Sequence, residues 1–297
     1  MELIKSAFKL LGKIFKSTVG KVILGIAGAV GTGAAAHGTV KAVKAHKKNK
    51  LATAIRDKYL EKYEISLQKT NEVLASLGKK EEEVINGFAK FSDVYERIHS
   101  RPEFKEIKKD GIDLPDVSLD ELKVLPNQWE LVAQGTVGGM GGAAVGLALC
   151  GFNIFALGPA AFLGGILILK GGKQREEKAA ENLRQANKLK SDVNSIVVYH
   201  ERIQACSQKL EKSLDSVRAV YNKEFEKMKR ITEKKQDWTD FSSREKRIVE
   251  NTVKLVQLLY FICGTKLIVK DGEDEFVNDI KVDSAVNEVK RDLKRIK

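Results

Sequence analysis

The 297-residue chain is 43% hydrophobic and 31% charged and has only 4 prolines. This composition excludes a chain disordered throughout, argues against a turn-rich β-sandwich and favours long helices. Three scattered cysteines without a CxxC spacing argue against a disulfide framework, and the net charge of +12 suits nucleic acid and anionic lipid equally.

Residues 2–18 are predicted to form a cationic amphipathic helix. At about 100° per residue, its lysines fall within one arc and its large apolar side chains on the opposite side. Such a helix lies in a bilayer interface or docks on an apolar groove, and the alternative is an ordinary surface helix packed on the body. The residues predicted to contact lipid are Lys5, Lys9, Lys13, Lys16, Phe8 and Phe15.

The stretch 22–40 follows without any Asp, Glu, Lys or Arg. Its 19 positions are just enough to cross a bilayer, although its glycines and alanines make it weakly hydrophobic. A secretory signal is the alternative, since lysines precede the apolar part and 34–36 resembles a cleavage site. The long amphipathic region before it favours retention over cleavage.

Two long helices are predicted on either side of the middle of the chain. Apolar residues spaced three and four apart run from 41 to about 100 and again from 173 to about 233, which is coiled-coil-like spacing. We expect these two helices to pair in an antiparallel arrangement. Between them, 101–127 is a proline-punctuated break, with Ser118 and Glu121 as a capping box for a short helix.

The C-terminal part is predicted to continue the helical pattern. Ser242 and Glu245 open an almost continuously apolar helix that ends near Gly264. A short strand at 265–269 and a last amphipathic helix follow. The predicted fold is therefore all-α, an elongated antiparallel bundle of long helices, divided into segments 1–40, 41–127, 128–172 and 173–297.

The stretch 131–169 has no charged residue in 39 positions and contains ten glycines. One helix of that length would exceed the thickness of a bilayer, so a helical hairpin at one end of the bundle is predicted. Glycines four residues apart let helix backbones approach closely, whereas each would cost about 1 kcal/mol in a water-soluble helix. The residues predicted to act in insertion and self-association are Gly135, Gly138, Gly139, Gly142, Gly146, Trp129, Phe152, Phe155 and Phe162.

The hydrophobicity of 131–169 favours a conditional insertion. Its 16 large apolar residues contribute on the order of −7 kcal/mol at a membrane centre, shared between two crossings and offset by the glycines. Such a segment could be sheltered in a soluble bundle and inserted later. The alternative is a hairpin that is always buried in a protein core.

No residue set indicates catalysis, a metal or a cofactor. Two runs, 31–36 and 139–144, imitate half of a dinucleotide fingerprint, but neither lies in a strand–turn–helix unit. The four histidines are dispersed, and His200, in the apolar stripe, is expected to be a satisfied core group. The run 81–83 of glutamates is expected to be a solvated face. We therefore predict that the protein is not an enzyme and takes no small-molecule substrate.

The order of elements resembles two groups of proteins. The runs ASLGKKEEEVINGFAKF, YERIHSRPEF and AQGTVGGMGGAAVGLALCGFNIFALGPAAFLGGILILKGGKQREEKAAENL are similar to uncharacterised bacterial proteins with a Gly/Ala-rich hairpin between coiled coils. This resemblance covers about residues 40–235. The architecture alone also resembles cytolysin A-type α-pore-forming toxins, in which a hydrophobic head is hidden in the soluble form and inserts on assembly.

The function expected from the sequence is that of a membrane-interacting, self-associating helical protein that forms a pore or disrupts a bilayer. Its partners would be an anionic bilayer, reached at the inner membrane from the cytoplasmic side, and further copies of the chain. The rival is a coiled-coil scaffold or membrane anchor without pore activity. Nucleic acid is not an expected partner, because basic and acidic residues are interleaved outside the N-terminus.

Overall fold

The computed structural model describes residues 38–104, 117–126, 175–271 and 274–296. The helices are α1 (Gly38–Glu96), α2 (119–126), α3 (Arg175–Thr232), α4 (Ser243–Cys263) and α5 (Asp279–Ile296), with a 3₁₀ turn at Trp238–Asp240. Within these ranges the strands β1 (Ile268–Asp271) and β2 (Asp274–Val277) form one two-stranded sheet. The predicted all-α class is confirmed.

The predicted capping boxes explain where two of the helices begin. Ser118 Oγ accepts a hydrogen bond from the Glu121 backbone N–H at 3.1 Å, and the Glu121 carboxylate accepts one from the Ser118 N–H at 2.6 Å. Ser242 and Glu245 form the same reciprocal pair at the start of α4. Each box satisfies backbone donors that the first turn of a helix leaves unpaired.

The end of α4 lies at the predicted glycine but does not use the left-handed conformation. Gly264 donates its backbone N–H to carbonyls of the last turn, and its φ of −81° is one that any residue adopts. The predicted strand after it is shifted by a few residues and pairs with β2. The Asn278 N–H donates to the Leu267 carbonyl at 2.8 Å, which closes the hairpin at its base.

The two long helices run in parallel, so the predicted antiparallel pairing is wrong. Polar contacts join Asn49 to Asn182, Lys62 to Asn194 and Ser66 to His200, at sequence separations of 133, 132 and 134 residues. Further along, Lys80 bonds Asp215 and Arg218 bonds Glu83, both at a separation of 135. Because the sequence separation of the contacting residues is nearly constant, the two helices advance in the same direction.

The pattern of apolar residues could not reveal this direction. Spacing of three and four residues defines which face of a helix is buried, and that face is the same whichever way the partner runs. Short connections favour antiparallel neighbours, but a long connection allows either direction. The 78 residues 97–174 separate α1 from α3, which is ample for a connection between parallel helices.

The chain divides into two compact units, each of which contains part of α1 and part of α3. Among the described residues, unit 1 holds α1 up to Thr70 and α3 up to Glu201. Its apolar core consists of residues from both helices, with further partly buried side chains packed against it. The buried residues are Tyr63, Leu189, Val193, Ile196 and Val197, and the partly buried ones are Tyr59, Leu60 and Leu67.

Unit 2 holds the remainder of the two long helices together with α2, α4 and α5. The eight consecutive residues 252–259 of α4 are all buried. A surface helix buries one face only, so a helix buried on every side lies in the middle of its unit. The rings of Phe91, Tyr95 and Phe104 pack against one another in the same unit, with centroids 5.6 to 5.9 Å apart.

Candidate functional site

The residues predicted to act at a membrane lie outside the described part of the chain. This holds for Gly135, Gly138, Gly139, Gly142, Gly146, Trp129, Phe152, Phe155 and Phe162. It holds equally for Lys5, Lys9, Lys13, Lys16, Phe8 and Phe15. The structure does describe the starts of the two long helices, α1 and α3, that follow the uncharged stretches.

The starts of α1 and α3 lie beside each other in unit 1. Asn182 donates its side-chain amide to Asn49 Oδ1 at 3.0 Å, which fixes the register at this end. With the same separation of 133 residues, the first residue of α3 falls opposite the first turns of α1. The uncharged stretch 22–40 leads into the start of α1, and the uncharged stretch 131–169 ends shortly before the start of α3. The parallel register therefore places the first described residues that follow the two stretches at the same end of unit 1.

This end of α1 carries positive charge only. From 38 to 56 the helix has six basic residues and no acidic one, whereas acidic residues outnumber basic ones from 57 to 96. Lys44, Lys47 and Lys50 are exposed and Lys48 is half-buried. No ion pair joins any of these four lysines to another described residue. The first described turn also lacks an acidic residue, although the helix dipole favours negative charge there.

The contact face of unit 1 contains a buried histidine between the two helices. His200 is fully buried, and its Nδ1 lies 3.0 Å from Ser66 Oγ. The Tyr63 ring centroid is 6.0 Å from the imidazole, and burial raises the pKa of Tyr63 to about 12. Burial also lowers the pKa of His200 to about 4, so the ring is neutral at neutral pH.

The prediction that His200 is a core residue is confirmed, but only half of its hydrogen-bonding capacity is used. Its Nε2 is buried and has no hydrogen-bond partner in the described part of the chain. Charging the ring would place a cation among apolar side chains, which is costly without a paired anion. The packing around His200 therefore favours the neutral imidazole.

Glu81 of unit 2 is a buried carboxylic acid. The prediction that the glutamate run 81–83 forms a solvated face is therefore wrong for Glu81. Its side chain is 1% exposed, its Oε1 has no hydrogen-bond partner among the described residues, and burial raises its pKa to about 8. Glu83 is exposed and pairs with Arg218, as a solvated face requires. The spacing Leu77, Glu81, Val84 continues the buried stripe of α1 and was the available signal for this burial.

Other buried polar groups of unit 2 lie on different helices. Gln257 on α4 is fully buried with both side-chain polar atoms unpartnered, and Asp292 on α5 is fully buried with Oδ2 unpartnered. The other oxygen of Asp292 lies 3.0 Å from Arg291 Nε. Within the described ranges, no three His, Cys, Asp or Glu side chains come together as metal ligands.

The described helices include none with an uncharged apolar stretch long enough to cross a bilayer. The 21-residue helix α4 has enough residues, but it includes charged side chains between 244 and 254. The two uncharged stretches of the sequence fall almost entirely outside the described ranges.

Comparisons with known proteins give no relative for this chain. No protein-family model, no curated protein and no solved structure matches it. The arrangement at the start of α1 and α3 is therefore the basis on which a function is proposed.

Proposed function

We propose that this is a membrane-interacting, self-associating helical protein whose stretch 131–169 inserts into and permeabilises a lipid bilayer. The observation that supports it is the side-by-side start of α1 and α3, each following a long uncharged stretch of sequence. Two uncharged stretches that reach the same end of one unit can enter the same bilayer. An antiparallel pair would send them to opposite ends.

The energetics of 131–169 support insertion that depends on assembly. Its total of about −7 kcal/mol is shared by two arms, which is marginal for a permanent span. Close packing of helices through glycines four residues apart would supply the stabilisation that the hydrophobicity of 131–169 alone does not provide, because dispersion contacts drive helix association inside a bilayer. Self-association of the protein and insertion of this stretch are therefore coupled in this proposal.

Charge supports the proposed lipid partner, and the cysteines support the proposed location. The lysine-rich first part of the chain favours a bilayer with anionic headgroups. Three scattered cysteines suit a reducing compartment. The protein would meet the inner membrane from the cytoplasmic side, after a soluble form that shelters 131–169.

A second function is supported by the parallel pairing of α1 and α3. Cross-helix contacts recur along both units, from Asn49–Asn182 to Arg218–Glu83. Long parallel helices held in one register are suited to a coiled-coil scaffold or membrane anchor. Such a scaffold binds membranes through the same stretches without opening a path across them.

Dye release from liposomes separates the two functions. The purified full-length chain should release an encapsulated dye from anionic vesicles if 131–169 permeabilises them, and should bind without release if it only anchors. Replacing Gly138, Gly142 and Gly146 together with leucine should abolish release, because the added side chains hold the helix backbones apart.

The matched control places three leucines on the opposite side of the same predicted arm, at Ala133, Ala144 and Ala148. This variant gains the same number of large side chains but leaves the glycine face intact, so release should persist. Dye release that survives the glycine substitutions would remove the glycine face from the mechanism. Absence of release by the unmodified protein would leave the scaffold as the function.

A further inference from the structure

The start of α1 is the most one-sidedly charged surface in the described part of unit 1. Ala45 and Ala52 are buried, at 4% and 7% exposure, and so mark the side of α1 that faces the core. At about 100° per residue, Lys44, Lys47 and Lys50 fall away from that side. Their charged groups therefore face outward from the helix pair.

The neighbouring helix does not neutralise this surface. Among the α3 residues whose side chains the structure describes, the exposed acidic ones on the first turns are Glu177 and Glu181, and neither forms an ion pair with a described lysine of α1. Glu181 instead bonds Arg184 and Gln185 of its own helix. The positive charge at this end of α1 therefore remains available to a partner outside the described residues.

Charge of one sign also opposes the stability of the helix that carries it. Lys44, Lys47, Lys48 and Lys50 repel one another, and pairs of like charge three or four residues apart destabilise a helix. The remainder of α1 mixes both signs, which is the usual arrangement for a solvated helix. An anionic partner would offset the repulsion at the start of the helix.

We propose that Lys44, Lys47, Lys48 and Lys50 of α1 form a headgroup-binding collar that contacts the phosphates of anionic phospholipids. The inference rests on the proposed function, because it assumes that the uncharged stretch 22–40 lies against the same bilayer. Cationic side chains that directly follow an uncharged stretch lie at headgroup depth once that stretch enters the hydrocarbon. The collar would hold the start of unit 1 at the membrane surface.

The adjoining uncharged stretches favour a membrane over a nucleic acid as the partner. A phosphate backbone would use the same lysines, but it offers nothing apolar to the uncharged stretch 22–40, which leads into α1, or to the uncharged stretch 131–169 before α3. A lipid surface provides both chemistries within a few ångströms of each other. The collar is thus assigned to lipid phosphates.

The test is co-sedimentation of the full-length chain with vesicles of neutral phosphatidylcholine, with and without anionic phosphatidylglycerol. Each lysine near an anionic surface strengthens binding about fivefold, so the four collar lysines together contribute a factor of several hundred to the preference for anionic vesicles. Replacing all four with glutamine should reduce the preference by about this factor, and the part that the predicted lipid contacts Lys5, Lys9, Lys13 and Lys16 contribute should remain. Binding to neutral vesicles should stay unchanged, and helix content by circular dichroism should stay as in the unmodified protein.

The matched control removes four other exposed lysines of the same helix. They are Lys58, Lys69, Lys79 and Lys90. This variant has the same net charge as the collar variant, so a general charge effect would weaken both equally. The expected result is that the control keeps the full anionic preference, whereas the collar variant loses the several-hundredfold share contributed by its four lysines.

Four outcomes overturn the collar, and they differ in what they imply for the proposed function. Equal binding of the unmodified protein to neutral and anionic vesicles, or equal weakening of both variants, removes the collar and leaves membrane insertion standing. Failure to bind any vesicle removes both. Binding of a short DNA duplex that depends on the four lysines, without any vesicle preference, would reassign them to nucleic acid.

Discussion

Replacing Glu81 with glutamine should stabilise unit 2 at neutral pH. The side chain is 1% exposed, so solvent does not screen its charge, and no cation among the described residues offsets its burial. Burial raises its pKa from 4.5 to about 8. Glutamine has nearly the same shape and is neutral at every pH, so the substitution removes the cost of the charge without opening a cavity.

The size of the effect follows from the pKa. An acid whose pKa is higher in the folded than in the unfolded state contributes stability that is fully present below pH 4.5. That stability is lost as the pH rises to 8. At about 1.4 kcal/mol per pH unit, the loss by pH 7 is about 3 kcal/mol. This is a large part of the total stability of a typical domain.

Hydrogen exchange in α4 provides the readout, because residues 252–259 are all buried in unit 2. The Glu81→Gln variant should exchange more slowly than the unmodified protein at pH 7, by about a hundredfold, and at the same rate at pH 4. Glu226→Gln is the control, since Glu226 is exposed on α3 and its loss should change little. Equal exchange of the Glu81→Gln variant and the unmodified protein at pH 7 would refute the reasoning and mean that water or a counter-ion reaches the carboxylate.

Unit 1 should respond to acid in the opposite sense, because burial lowers the pKa of His200 from 6.5 to about 4. Its stability should be complete above pH 6.5 and fall by about 3 kcal/mol as the pH drops to 4. His200→Leu should abolish this slope in hydrogen exchange of 189–200, and an unchanged slope would place the titration elsewhere. The parallel register predicts that Asn49→Cys and Asn182→Cys, in a chain whose native cysteines are replaced by alanine, join through a short bis-maleimide. Failure to form this intramolecular crosslink, read by mass spectrometry, would contradict the register.

The opposite pH responses of the two units bear on when the protein would leave a soluble form. Mild acid removes stability from unit 1, which contains the starts of α1 and α3, while it relieves the cost of Glu81 in unit 2. Loosening of unit 1 alone would free the starts of α1 and α3 without unfolding α4. The two exchange experiments, performed on the same samples, show whether the units respond separately.

Local rules determined the helices and their ends. The scarcity of proline and the spacing of apolar residues predicted α1 and α3 close to their observed bounds, since these patterns act within a few turns of chain. Ser118 and Ser242 began their helices as predicted, because a capping box satisfies its donors over only four residues. The location of His200 in the core followed from the same periodicity. The glycine-rich stretch 131–169 and the lysine helix 2–18 stay predictions.

Tertiary structure decided the direction of the helix pair and the burial of Glu81. The apolar face of α1 accepts a parallel or an antiparallel partner equally well, and contacts between residues about 133 apart, such as Asn49 and Asn182, select one. The stripe Leu77, Glu81, Val84 showed which face Glu81 occupies, but only packing within unit 2 removed that face from water. Both outcomes depend on which segments meet in space, and helical periodicity carries no information about a partner distant in the chain.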